Sequence, residues 1–106
     1  MRRDIKFRAW NGMKMLEPQD LSQSAFHWRW LGKEDATLLQ YTGIRDKNGK
    51  EIYEGDVLSY FGEPSVVSWN PHVSGFIAAN VGAGHTWHDC EVIGNIYENR
   101  ELIQQV

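Results

Sequence analysis

The segment Asp46-Lys47-Asn48-Gly49 constrains this chain more than any other. Aspartate at the first corner, asparagine at the third and glycine at the fourth fit a type I turn closed by a left-handed glycine. Such a turn joins two antiparallel strands, and the flanking residues 41–45 and 50–53 supply them. The same punctuation continues downstream. Glu54-Gly55-Asp56, Gly62-Glu63-Pro64, Asn70-Pro71 and Gly82-Ala83-Gly84 separate Val57-Leu58-Ser59-Tyr60-Phe61, Val66-Val67-Ser68-Trp69, Phe76-Ile77-Ala78-Ala79 and Glu91-Val92-Ile93-Gly94-Asn95-Ile96-Tyr97. No stretch is both long and helically periodic, so the pattern predicts an all-β chain of short strands.

The N-terminus reads the same way. Ile5-Lys6-Phe7-Arg8-Ala9-Trp10 alternates apolar and basic residues, Asn11-Gly12 is a hairpin signal, and Met13-Lys14-Met15-Leu16 returns. A loop with one extra residue sets Ala9 opposite Met15 and keeps one face apolar, so this register is expected. Phe26, Trp28 and Trp30 alternate with His27 and Arg29 as an aromatic strand, with a weaker helical signal over 19–27. Glycines 43, 49, 55 and 94 suit turns or close strand crossings. Ile44, Ile52, Val57, Ile93 and Ile96 suit a core, and Asp56 suits a bond to backbone N–H groups at its turn. Near the end, 98–102 suits a helical turn capped by Asn99.

A chain of 106 residues is one domain, large enough for a core without disulfides or metal. The expected division is an N-terminal hairpin and Trp-rich segment, residues 1–40, packed on a small barrel formed by about 41–106. Hairpin following hairpin suits a five-stranded barrel of the SH3 type. The net charge of -3 argues against a strongly basic nucleic-acid binder. One cysteine, Cys90, closes no internal disulfide and fits a reducing compartment. The charged N-terminus is not a secretory signal, and the apolar runs are too short for a membrane-spanning helix. These features predict a cytoplasmic protein with no membrane contact.

Catalytic signals are weak. His85, His88, Asp89 and Cys90 are all metal-ligand types within six residues, but their spacing lacks the second ligand pair of a structural zinc site. The simpler reading is a polar loop, mobile after Gly82-Ala83-Gly84, with a buried inert thiol at Cys90. The carboxylates of Glu51, Glu54 and Asp56 lie in a hairpin, where acidic residues are common, and no phosphate-cradling loop is present. No cofactor is expected, and an enzyme is not the favoured reading.

Binding fits the residues better. Arg2, Lys6 and Arg8 share one side of the first strand, and Arg45, Lys47 and Lys50 flank the central turn. Joined to Trp28, Trp30 or Trp69, they would make a basic groove with stacking rings for single-stranded nucleic acid. The favoured class is a protein-interaction module, including self-association through a strand edge or an aromatic patch. Trp28, Trp30, Arg45, Lys47 and Glu54 are the contact residues expected.

Three blocks carry a resemblance. They are Ile5-Lys6-Phe7-Arg8-Ala9-Trp10, then Gln40-Tyr41-Thr42-Gly43-Ile44-Arg45-Asp46-Lys47-Asn48-Gly49-Lys50-Glu51-Ile52-Tyr53-Glu54-Gly55-Asp56-Val57, and Glu91-Val92-Ile93-Gly94-Asn95-Ile96-Tyr97-Glu98-Asn99. In this order and spacing they resemble the YopX family of phages and prophages. The resemblance implies a small β-rich protein with an SH3-type barrel, encoded by a phage and working in its bacterial host. It implies no reaction and no ligand. One departure is Arg100, where the family often has proline after Glu-Asn.

Overall fold

A computed structural model describes residues 6–17, 37–78 and 82–102, with only the backbone of 82–85. The aromatic segment with Trp28 and Trp30 and the weak helical signal over 19–27 lie outside the described residues. The described chain is all-β. It has nine strands, β1 (Phe7–Trp10), β2 (Met15–Leu16), β3 (Thr37–Arg45), β4 (Glu51–Tyr53), β5 (Asp56–Tyr60), β6 (Glu63–Asn70), β7 (Gly75–Ala78), β8 (Gly82–Ala83) and β9 (Glu91–Asn95). Two 3-10 turns, Gly84–Asp89 and Arg100–Leu102, complete it.

The strands form two antiparallel sheets, ordered β2-β1-β3-β4 and β8-β7-β6-β5-β9. β1 is an interior strand, paired with β2 on one side and with residues 37–40 of β3 on the other. The N-terminal hairpin is therefore continuous with the sheet that carries the central turn. One core spans both sheets: Ile52, Leu58, Val67, Ala78, Trp87 and Cys90 are buried together, with Ile44, Tyr60, Phe76 and Val92 packed around them.

The central turn forms as its residues dictate. Gly49 has φ +82° and donates to the Asp46 carbonyl at 3.0 Å. Asp46 Oδ1 accepts from Asn48 N and Lys50 N at 2.8 and 2.9 Å, and Oδ2 accepts from Val92 N at 2.9 Å. Burial opposes its negative charge, but the Val92, Lys50 and Asn48 N–H groups outweigh burial and hold the carboxyl below its usual value. One side chain thus builds the turn and ties it to β9.

Four expectations are corrected. The first hairpin pairs Ala9 with Leu16 and Trp10 with Met15, not Ala9 with Met15. Asn11 Oδ1 accepts from both Met13 N and Lys14 N at 2.9 Å, which keeps these two residues in the loop. Ile93 is not a core residue. Val57 faces Gly94 while Leu58 faces Val92, so Ile93 is the extra residue of a bulge and is 40% exposed. Gly82-Ala83-Gly84 is not a link: Gly82 and Ala83 pair with β7, and Gly84 opens a 3-10 turn. Asn99 does not cap the last turn with its side chain. Its Oδ1 accepts from Asn95 N at 3.2 Å, behind it.

Candidate functional site

Of the basic side chains expected to share one side of the first strand, Arg2 lies outside the described residues, Lys6 stands partly exposed just before β1, and Arg8 is built into the molecule. Arg8 is only 6% exposed, and its guanidinium is paired with the buried carboxylate of Asp56. Asp56 Oδ2 also accepts from Tyr53 N at 2.8 Å, the turn bond expected of it. The Arg8 guanidinium lies 4.5 Å from the centroid of the Tyr53 ring, which in turn packs on Tyr41 at 5.4 Å. Burial pushes the Asp56 carboxyl up to about 6, against the pull of Arg8 and the Tyr53 N–H.

Glu51 gathers the outer cations. Lys6 Nζ donates to it at 2.5 Å, Arg45 Nη2 at 3.4 Å and the Tyr53 hydroxyl at 3.1 Å. Burial opposes its charge, and Lys6, Tyr53 and Arg45 overcome that and lower its pKa. Burial, then the charge and hydrogen bond of Glu51, push the Tyr53 phenol upward. Lys6, Arg8 and Arg45 are therefore held in ion pairs, with Lys6 and Arg45 sharing one carboxylate.

Of the expected contact residues that are described, Arg45 and Lys47 share the central turn and Glu54 lies past the far end of β4. Arg45 and Lys47 are exposed at the central turn, which is tied to the start of β9 by a bond from Lys47 N to Cys90 O at 2.9 Å. Glu54 lies beyond β4, where its N–H donates to Gln40 O at 2.9 Å and its charge reaches Tyr97. Trp69 is 48% exposed at the far end of β6, edge-on to Phe76 at 5.2 Å. Trp28 and Trp30 lie outside the described residues. His88 and Asp89 are exposed while Cys90 is fully buried, its thiol raised by burial and by Asp89 and Asp46. The side chain of His85 is not among those described. No group of three or more metal-ligand side chains converges among the described residues.

Two features escape sequence reasoning. The first is Phe61, at the turn between β5 and β6. It is 89% exposed and has φ +52°, followed by Gly62 at +83°. Both corners are thus left-handed, the geometry that two-residue hairpin turns favour and that asparagine followed by glycine accepts best. A phenylalanine there carries steric strain, and its ring meets Tyr60 edge-on at 4.4 Å. The second is a cleft of about 360 Å³ lined by Trp10, Ile96, Tyr97 and Arg100, with the Trp10 and Tyr97 rings 5.9 Å apart. Gly55 has φ +87°, and a Cβ on it would come within 2.9 Å of the Tyr97 ring. Tyr97 therefore seats at the Asp56 end of β5, with Phe61 beyond the other end.

Gly94 sets the position of that cleft. A Cβ there would come within 2.5 Å of Asn99 Oδ1 and 2.8 Å of Leu102 Cδ1. Gly94→Ala is expected to displace the last 3-10 turn, and Arg100 with it, at a cost of about 1–3 kcal/mol. Urea unfolding measures the loss, and shifts of the Asn99 and Arg100 amide resonances locate it.

The family model described as YopX protein matches residues 6–104. The crystal structure of protein EF1440 from Enterococcus faecalis is similar, with a TM-score of 0.72 and 24% identity, covering 96% of this chain and 99% of that one. That likeness shows a shared fold. No curated protein matches the chain. Among the described residues no helix is long and apolar enough to cross a membrane.

Proposed function

The chain belongs to the YopX protein family, and from that premise we propose that it is a non-catalytic protein-interaction module that docks its partner through the β5–β6 tip. The observation that carries this reading is Phe61, a large ring held 89% exposed in a left-handed conformation. Exposure and strain both oppose folding, and asparagine would relieve both. A residue that costs the fold twice is best explained by a contact outside it. Lys47 and Lys50 are exposed on the turn that is tied to β9 near the same end. They support a partner whose apolar pocket has an acidic rim.

Two sheets sharing one core, joined where the chain passes from β4 to β5 at Glu54-Gly55, support a single domain with a barrel of the SH3 type carrying the N-terminal hairpin. The family resemblance supports a phage-encoded protein in the cytoplasm of its bacterial host, and the buried single thiol is compatible with a reducing compartment. Nucleic acid is the weaker alternative, because Lys6, Arg8 and Arg45 are already in ion pairs.

Photo-crosslinking tests the docking reading. A benzophenone amino acid at position 61 is expected to capture a discrete partner in cells carrying the gene in its natural context. The same group at exposed Lys14, in the β1–β2 loop, is expected to capture none. Equal capture at both positions, or none at position 61, would reject the tip as the docking point.

A further inference from the structure

We propose that the cleft between Trp10, Ile96, Tyr97 and Arg100 is a binding site for a small aromatic carboxylate. This goes beyond the docking of a partner at Phe61, from which it is separated by the length of β5. The volume, about 360 Å³, is in the range of small-ligand sites, roughly 300–1,000 Å³. Two aromatic rings and Ile96 give it apolar walls. The rings touch each other at 5.9 Å and a 32° tilt, so a flat ligand lies against them and does not slide between them.

The polar groups of the lining choose the ligand's charge. The Trp10 indole N–H, the Tyr97 hydroxyl and the Arg100 guanidinium make no hydrogen bond or ion pair among the described residues. An indole N–H and a guanidinium only donate, and Tyr97 keeps its proton because burial and the charge of Glu54 raise its pKa. Among the described residues the lining thus offers several donors and a positive charge, with the Tyr97 oxygen its side-chain acceptor. Arg100 matches a carboxylate with a two-pronged fork, the geometry in which charge-assisted bonds are strongest. Arg8 is paired with Asp56, and Lys6 and Arg45 with Glu51. Arg100 makes no such pair among the described residues and lines a place where a ligand fits.

A polyanion is the poorer match. The chain carries a net charge of -3, and Glu54, Glu98 and Glu101 stand near Arg100 in sequence or around Tyr97. A nucleic-acid backbone would meet these carboxylates, whereas one compact carboxylate engages the single guanidinium. The carboxylate chemistry has two sources, a free aromatic acid and a chain terminus ending in an aromatic residue.

Calorimetric titration of the full chain with phenylacetate, with a tripeptide ending in phenylalanine, with phenylacetamide and with adenosine monophosphate tests the site. Saturable binding of phenylacetate or of the tripeptide is expected, and the tighter of the two identifies the source. Phenylacetamide should bind roughly tenfold more weakly than the acid, and Arg100→Gln should weaken the acid by about the same factor without changing the melting temperature. The Trp10 indole resonance should shift on titration, and Phe61→Asn should leave every titration unchanged, which separates this site from the docking tip. No saturable binding of either carboxylate, equal binding of the amide, an unaffected Arg100→Gln chain, or tighter binding of the nucleotide would each overturn the proposal.

Discussion

Asp56→Ala should lower the unfolding free energy by about 3–5 kcal/mol, because it leaves the Arg8 guanidinium buried without its counter-charge. The loss exceeds that of a turn residue, since Asp56 also accepts the Tyr53 N–H at 2.8 Å. Asp56→Asn should lose less, because the amide oxygen still accepts that bond. Replacing Arg8 and Asp56 together by apolar residues of similar size should recover much of the deficit, since the desolvation of both charges is then avoided. Urea unfolding of the single and double variants gives the coupling directly.

The acid dependence follows from the same burial. The Asp56 carboxyl is lifted from 3.8 to about 6 in the folded chain, so between these values the fold holds a proton that the unfolded chain has released. The contribution of Asp56 is therefore full below about pH 4 and declines as pH rises through about 6. Asp46 works in the opposite sense: its folded pKa is lowered, so its contribution is present above the unfolded value of 3.8 and lost in stronger acid. Asp56→Asn should remove the decline toward pH 6 and leave the acid limb in place.

Trp87→Ala should be comparably severe, about 3–5 kcal/mol. Trp87 is fully buried and central to the core shared by Ile52, Leu58, Val67, Ala78 and Cys90. Alanine would open a cavity between two sheets whose backbone hydrogen bonds prevent collapse. Trp87→Phe should lose much less. The indole N–H is buried without a hydrogen-bond partner among the described residues, so phenylalanine removes an unsatisfied donor while keeping most of the ring. Thermal unfolding of the two variants against the parent separates the cavity from the polar contribution.

Trp87 also marks where the sequence stops being legible. His85, Thr86, His88 and Asp89 surround it with polar side chains, and neither a two-residue nor a 3.6-residue period holds there. The segment is a 3-10 turn, whose three-residue repeat sets Trp87 and Cys90 on one side, joined by a bond from Cys90 N to Trp87 O at 3.0 Å. The hairpin at Asp46-Lys47-Asn48-Gly49 and the turn at Glu54-Gly55 were legible because the backbone there needs particular residues, and those residues are present. Ile93 was misread because alternation assumes an unbroken ladder and the bulge in β9 shifts it by one. Arg8 and Asp56 are 48 positions apart, and no local pattern says that two charges will share a buried space. Phe61 and the Trp10–Tyr97 cleft were invisible for a related reason. Exposure and concavity are properties of the folded surface, and the residues concerned look like ordinary strand ends.

The central claim is that the fold carries Phe61 at its own expense for a contact outside itself. Denaturant unfolding of Phe61→Asn, run beside crosslinking from an adjacent position, tests it most directly. Asparagine accepts the left-handed corner and exposes no ring, so the variant should be more stable by about 1 kcal/mol and should lose its partner. A variant that is no more stable than the parent, or one that keeps the same partner without the ring, would contradict the account.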